Sequence, residues 1–272
     1  MIQLNTKGWI IVTHEYLIVE TENNVMTITL NRTDAGNAIN IPFAKELFEA
    51  ALSATHDSEV DVVVIQGSGK AFSFGGDLKS FSDAGDKIDS SLKEVTTYLH
   101  NATSLLARMK KVVIASVNGT AAGAGLSLLC ACDLVISSDK AKFTSAYTNV
   151  GLTPDGSCTY FLPRLIGLRK TQELLYTNRV LSAQEAADWG IVTQVVAANE
   201  LQQKTKELAD KIANGSTSAN GTTKKLLSSS FLDRLDSHMA LESDSISDMT
   251  VTADGKEGIA AFLEKRRPNF SN

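Results

Sequence analysis

The tightest constraint on the fold is a recurring local pattern: short apolar runs of strand length, each ending at a glycine turn. A run over residues 60–66, with Val62, Val63, Val64 and Ile65 at its centre, stops at Gly67-Ser68-Gly69. A second, Val112–Val117, stops at Asn118-Gly119, leads into a small-residue helix over 121–131 and returns as a strand over 133–138. Runs that are apolar throughout fit strands covered on both faces, and strand–helix–strand alternation requires crossover connections, so the pattern predicts a largely parallel sheet in an α/β chain. None of these runs approaches the roughly 18 apolar residues of a membrane-spanning helix.

The rest of the chain fills in around that core. Residues 16–20 and 25–30 alternate on either side of Glu22-Asn23-Asn24 and read as a hairpin. Pro42 opens a helix with Phe43, Leu47, Ala50 and Ala51 on one face. Ser182-Ala183-Gln184-Glu185 is a capping box for a short helix that Gly190 ends, followed by a strand over 191–196. From Asn199 the pattern is helical, over 201–212, 222–231, 235–249 and 255–266, with 214–220 as the clearest linker. The division is a core over 1–199 and a helical C-terminal region over 200–272. No internal sequence repeat is visible.

Charge and cysteine usage exclude several function classes. Twenty-six Lys and Arg against 31 Asp and Glu give a net charge of −5, and Lys265-Arg266-Arg267 is the one basic cluster, so neither nucleic acid nor a membrane surface is an expected partner. Cys130, Cys132 and Cys158 are odd in number and lack Cys-x-x-Cys spacing, which fits reduced thiols. Met1 to Gly8 lacks the apolar stretch of a signal peptide, and Phe270-Ser271-Asn272 is not a peroxisomal address, so a cytoplasmic location is expected. The four histidines, His14, His56, His100 and His238, share no metal-ligand spacing and read as incidental; no metal site is expected.

Three segments carry candidate chemistry. Ala71-Phe72-Ser73-Phe74-Gly75-Gly76-Asp77-Leu78 and Asn118-Gly119-Thr120-Ala121-Ala122-Gly123-Ala124-Gly125 are glycine-rich turns after strands. Neither fits a Walker loop or a dinucleotide fingerprint. They can simply allow tight packing, or they can aim two backbone amides at one developing negative oxygen. Asp155, in Gly151-Leu152-Thr153-Pro154-Asp155-Gly156, falls between a short strand over 147–150 and an apolar helical run. It can cap that helix, or act as a proton-transfer base in an apolar setting.

Taken in order, these segments resemble the crotonase superfamily of enoyl-CoA hydratases and isomerases. The likeness runs from Leu30-Asn31-Arg32 and Asn37-Ala38 through both glycine turns and Ala141-Lys142-Phe143. It continues in Leu162-Pro163-Arg164-Leu165-Ile166-Gly167, Trp189-Gly190-Ile191-Val192 and Glu257-Gly258-Ile259-Ala260-Ala261-Phe262. The resemblance implies a spiral of ββα units forming two roughly perpendicular sheets. It also implies a helical C-terminal region that builds a homotrimer or a dimer of trimers. It gives the amides of Gly76 and Ala124 the role of an oxyanion hole for an acyl-CoA thioester. Asn37, Ala38, Ala71, Phe74, Gly75, Asp77 and Gly123 would surround the bound coenzyme A, with Phe262 and Lys265 of the last helix over its adenine and 3′-phosphate. Coenzyme A would enter only as part of the substrate, with no other cofactor.

The branch within the family turns on carboxylates. By the resemblance, hydratases carry two glutamates where this chain has Ser127 and Tyr147, which leaves Asp155 as the remaining acid. That arrangement resembles the Δ3,Δ2-enoyl-CoA isomerases and the ring-epoxide isomerases of phenylacetyl-CoA breakdown. The expected activity is therefore a double-bond shift or ring isomerisation by one carboxylate; the alternatives are a hydratase and a non-catalytic acyl-CoA binder. Phe81, Leu99, Tyr147 and Tyr160 are expected to shape the acyl pocket, with residues 82–93 as a mobile wall.

Overall fold

The computed structural model describes residues 2–4 and 10–270; the expectations drawn from Met1, residues 5–9 and Ser271-Asn272 lie outside them. The chain opens with β1 (Ile2–Leu4), β2 (Ile10–Thr13), β3 (Leu17–Glu22) and β4 (Val25–Leu30), an antiparallel meander whose first two strands the sequence analysis did not anticipate. The expected hairpin is β3–β4. Asn23 and Asn24 both take positive φ at its tip, the conformation a tight hairpin turn requires and asparagine tolerates. Helix α1 (Ile41–His56) starts where the Asn40 side chain accepts the Phe43 amide proton at 3.0 Å. Its C-terminal end is closed by the Lys111 ammonium, which donates to the Ala54 and Asp57 carbonyls.

Three strand–strand–helix units follow. The first is β5 (Val62–Gly67), β6 (Ala71–Ser73), a short α2 (Leu78–Asp83) and the long α3 (Ile88–Arg108). The second is β7 (Val112–Val117), β8 (Thr120–Ala122) and α4 (Ala124–Cys130); the third is β9 (Leu134–Ser138), β10 (Lys142–Thr144) and α5 (Cys158–Thr177), which breaks at Gly167. In each unit the first strand joins a large sheet and the second a small one. After β11 (Leu181–Ser182), α6 (Ala183–Trp189) and β12 (Gln194–Val196) the order of the large sheet is β1-β2-β3-β4-β5-β7-β9-β12, parallel from β4 onward. The small sheet runs β11-β10-β8-β6. Helices α7 (Leu201–Ala213), α8 (Thr217–Ser229), α9 (Leu235–Val251) and α10 (Ala253–Leu263) complete the chain.

The run Val62 to Ile65 is apolar throughout because both faces of β5 are covered. Val63 and Ile65 face the main core with Phe43, Leu47 and Phe72, whereas Val62 and Val64 meet Ala209 and Ala213 of α7 on the other side. The boundary drawn at 199/200 thus falls ahead of a helix that covers the large sheet. No helix among the described residues is long and apolar enough to cross a membrane.

Four expected elements differ in form. The helix foreseen from 121 begins at Ala124, because Ala121 and Ala122 first pair with Phe143 and Thr144 of β10. The strand foreseen over 147–150 is a 3-10 turn, Thr148–Val150, ended by left-handed Gly151. The linker shortens to 214–216, since the Ser216 hydroxyl accepts the Ala219 amide proton and starts α8. The strand expected from 191 begins at Gln194, because the Ile191 and Val192 amides fold back onto the Ala186 carbonyl to close α6.

Candidate active site

The two glycine turns meet at the start of α4. A Cβ at Gly75, where φ is +91°, would lie 2.9 Å from the Ala124 nitrogen and 2.8 Å from the Ala122 carbonyl oxygen, so no side chain fits between the turns. Both flanks of Gly76 are pinned: the Ile39 amide donates to the Gly75 carbonyl (2.7 Å) and the Asp77 amide to the Ile39 carbonyl (3.0 Å). Ala124 is the first residue of α4, so its amide has no acceptor inside the helix. Neither the Gly76 nor the Ala124 N–H donates to any acceptor among the described residues. Both residues line one cavity of about 480 Å³, together with Asp155 and Tyr147.

Around that cavity the side chains sort into ligand-facing and bracing groups. Phe74 and Gly123 line it, as do the expected Phe81, Leu99 and Tyr147. Asn37 does not: it is fully buried, its amide nitrogen donates to the Ser68, Ala71 and Phe72 carbonyls at 2.9–3.0 Å, and its oxygen accepts the Arg32 amide proton. Asp77 is also turned inward, paired with Arg32 at 2.7 Å and bonded to the Ser80 hydroxyl and amide. Burial pushes its carboxyl up, but the Ser80 donors and the Arg32 charge outweigh that and hold it below the usual carboxylate range. Ala38, Ala71 and Gly75 lie behind the lining, with Ile39 taking the place expected for Ala38. Phe262 stands outside the cavity at the end of α10, where it is 83% exposed, and Lys265 lies outside it too, two residues past that helix. Of residues 82–93, Asp89, Leu92 and Lys93 form part of the wall, on the first turns of α3.

Asp155 sits in the loop between the 3-10 turn and α5, and its carboxylate is not a cap: the position before α5 belongs to Ser157, with no side-chain capping bond. Two side chains from elsewhere in the chain flank it, and a third backs one of them. The Tyr147 hydroxyl donates to Oδ1 at 2.6 Å. The Ser127 hydroxyl on α4 lies 2.9 Å from the Tyr147 oxygen, and because the single phenol proton goes to Asp155, serine is the donor there. Burial, then the Asp155 charge, push the Tyr147 phenol well above its ordinary value, so it stays a neutral donor. On the other side His100 Nε2, from α3, lies 3.3 Å from Oδ2 and 3.1 Å from the Gly156 nitrogen, whose N–H it accepts.

His100 is the residue that sequence reasoning missed. It stands 55 positions from Asp155, on a helix whose pattern gives no reason to single it out. Ser127 and Tyr147, noted as occupants of the hydratase carboxylate positions, are in fact bonded to each other, and Tyr147 to the acid. Tyr160 lines a different cavity, of about 760 Å³, on the far side of His100, because the first turn of α5 points it toward Phe231 and Arg164 instead. The three cysteines are free, and burial pushes the thiols of Cys132 and Cys158 up to about 12, so neither is a nucleophile at neutral pH.

A strand–strand–helix spiral feeding two sheets, with unpaired amides at the junction of two turns, has close counterparts. The crystal structure of an enoyl-CoA hydratase from Polaromonas sp. JS666 superposes with a TM-score of 0.90 at 31% identity, covering 94% of this chain and 99% of that one. The fold is that of the crotonase superfamily. The trans-2-decenoyl-(acyl-carrier-protein) isomerase of Streptococcus mutans is 34% identical over 256 residues, 94% of this chain and 97% of the relative. The 1,2-epoxyphenylacetyl-CoA isomerase of Escherichia coli is 34% identical over 259 residues, 94% and 98% of the two chains. The enoyl-CoA hydratase/isomerase family model matches residues 20–272. The chain belongs to that family and is an enzyme.

Proposed function

We propose that the protein is an acyl-CoA isomerase that shifts a double bond, or rearranges a ring, by moving a proton through Asp155. The observation that carries this reading is an acid held by Tyr147 in the cavity of the two unpaired amides, which Gly76, Ala124 and Asp155 line together. The wall's other acid, Asp89, lies on the first turn of α3, and the two positions where a hydratase would carry glutamates hold Ser127 and Tyr147. A proton beside a thioester carbonyl is too weakly acidic to remove unless the enolate oxygen is held. Two aligned backbone donors supply that, each contributing about 3–4 kcal/mol in known oxyanion holes. With the oxygen held, one base takes the proton from carbon 2 and returns it at carbon 4. Tyr147 and Ser127 keep the carboxylate aimed, and the step calls for no metal or redox group. Water addition would need a second group to orient and activate the water.

Coenzyme A is the proposed carrier, and a homotrimer or dimer of trimers the proposed assembly. Support for self-association comes from α9, which buries none of its residues within the chain while exposing Leu235, Met239, Ile246 and Val251.

The test is turnover of 3-hexenoyl-CoA to its conjugated isomer, followed by the rise in thioester absorbance. Asp155→Asn is expected to lower kcat by roughly a hundred- to ten-thousand-fold while acyl-CoA binding persists. Wild-type turnover in that variant would overturn the assignment, and rapid hydration of crotonyl-CoA by the native enzyme would make it a hydratase.

A further inference from the structure

Asp155 is the partition between two cavities. It lines the one of about 480 Å³ that holds the unpaired amides, while its neighbours His100 and Gly156 line the one of about 760 Å³. The same division runs through α3, where Leu99 faces the first cavity and His100 the second. The His100 side chain is 50% exposed, so water reaches its outer side, and its Nε2 edge is applied to Asp155 Oδ2.

We infer that His100 is a positioning residue that seals Asp155 from the water of the second cavity and so keeps the transferred proton inside the enzyme. The inference rests on the isomerase reading and assigns the conservation of that proton to one side chain.

The hydrogen-bond arithmetic supports it. An imidazole nitrogen carries either a hydrogen or a lone pair in the ring plane. The Gly156 N–H points at Nε2 from 3.1 Å, which favours the lone pair there and the hydrogen on Nδ1. That one lone pair is taken by the Gly156 N–H, so Nε2 offers Oδ2 neither a hydrogen nor a free acceptor, and at 3.3 Å the ring covers this oxygen without relaying its proton. Oδ1 already accepts the Tyr147 hydroxyl. A proton taken from the substrate therefore has no acceptor on the His100 side and stays on the carboxyl facing the first cavity. Asp155, whose side chain is 28% exposed, does not line the second cavity; the His100 ring stands at Oδ2 on that side.

The step balances without any added reagent. The C–H bond at carbon 2 breaks, its proton passes to Asp155, and its electron pair enters the dienolate held by the Gly76 and Ala124 amides. The same proton then forms the C–H bond at carbon 4, and the electron pair closes the double bond between carbons 2 and 3.

The experiment is isomerisation of 3-hexenoyl-CoA in heavy water under initial-rate conditions, with deuterium at carbon 4 of the product read by mass spectrometry. The native enzyme is expected to give product low in deuterium. His100→Ala, which opens Oδ2 to the second cavity, is expected to raise deuterium per turnover at least threefold; His100→Ser gives the same reading where the alanine variant does not fold. A merely structural role for His100 would lower turnover without changing the isotope content. Native product already at the deuterium content of the solvent, or equal content in native enzyme and variant, overturns the inference alone. Wild-type turnover in Asp155→Asn overturns the isomerase reading, and this inference with it.

Discussion

Asp155 is flanked at both ends of its carboxylate, by Tyr147 at Oδ1 and His100 at Oδ2, and the shorter of these contacts is the Tyr147 hydroxyl at 2.6 Å. A hydrogen bond to an ionised acceptor is worth about 1.5–3 kcal/mol, which is roughly a ten- to hundredfold effect when it is felt in the transition state. Tyr147→Phe is therefore expected to lower kcat by roughly that factor with KM nearly unchanged, measured as steady-state turnover of a 3-enoyl-CoA. An unchanged kcat would mean that the loop alone aims the acid. The residue type of Asp155 was legible as a candidate in the sequence, but its partners were not. Proton-transfer competence depends on what stands beside each oxygen, and His100, from α3, and Ser127, which backs Tyr147 from α4, arrive there only in the folded chain.

At the scale of elements, capping signals are legible in the sequence and tertiary anchors are not. The capping box at Ser182 is formed as expected, with the Ser182 hydroxyl accepting the Glu185 amide proton and Glu185 accepting the Ser182 amide proton. The Ser182 amide and hydroxyl, with Arg179, hold Glu185 at about 2 instead of the ordinary 4.5. A carboxyl that is more acidic in the folded chain binds fewer protons there than in the unfolded chain. Its stabilisation is thus complete above about pH 4.5 and lost as pH falls toward about 2. Thermal melts of Glu185→Gln across that window are expected to show a shallower fall of Tm with acidification than the native protein. The slope will not vanish, because Glu257 is held at about 2 by Arg266 and the Asn269 amide; an identical slope would mean that the unfolded chain keeps the same bonds.

The anchor of α8 carries a second element-scale prediction. Lys224 is buried and donates to the Leu106 and Lys111 carbonyls and, at 2.6 Å, to Asp133. It thereby ties α8 to the end of α3 and the start of β9. Lys224→Met leaves a carboxylate that burial already pushes up in pKa without its partner. The expected loss is about 3 kcal/mol of unfolding free energy, measured by denaturant titration; a change below about 1 kcal/mol would place the pair among weak surface contacts.

For the whole molecule, α8 to α10 present an apolar surface that the chain does not cover, including Leu227, Phe231, Leu232, Ile246 and Phe262. An exposed surface of this kind is unfavourable in water unless another chain covers it. Sedimentation of the native protein is expected to give a size that survives dilution, and Ile246→Asp is expected to shift it toward the monomer. A native monomer would remove the proposed assembly and leave the fold untouched.

The sequence by itself determined the elements whose signals are local: the β3–β4 hairpin through its paired asparagines, β5 and β7 through apolar runs, α6 through its capping box, and both glycine turns. It also carried the family motifs in order. The ββα spiral was legible through the family resemblance, but not as a repeated string of residues; only the tertiary structure decided which sheet each strand joins. It likewise decided that residues 120–122 pair before α4 begins, that Asn37 and Asp77 brace the turns, and that His100 meets Asp155. Each of those outcomes rests on contacts between residues far apart in the chain, whose energies appear only when the backbone brings them within hydrogen-bonding distance.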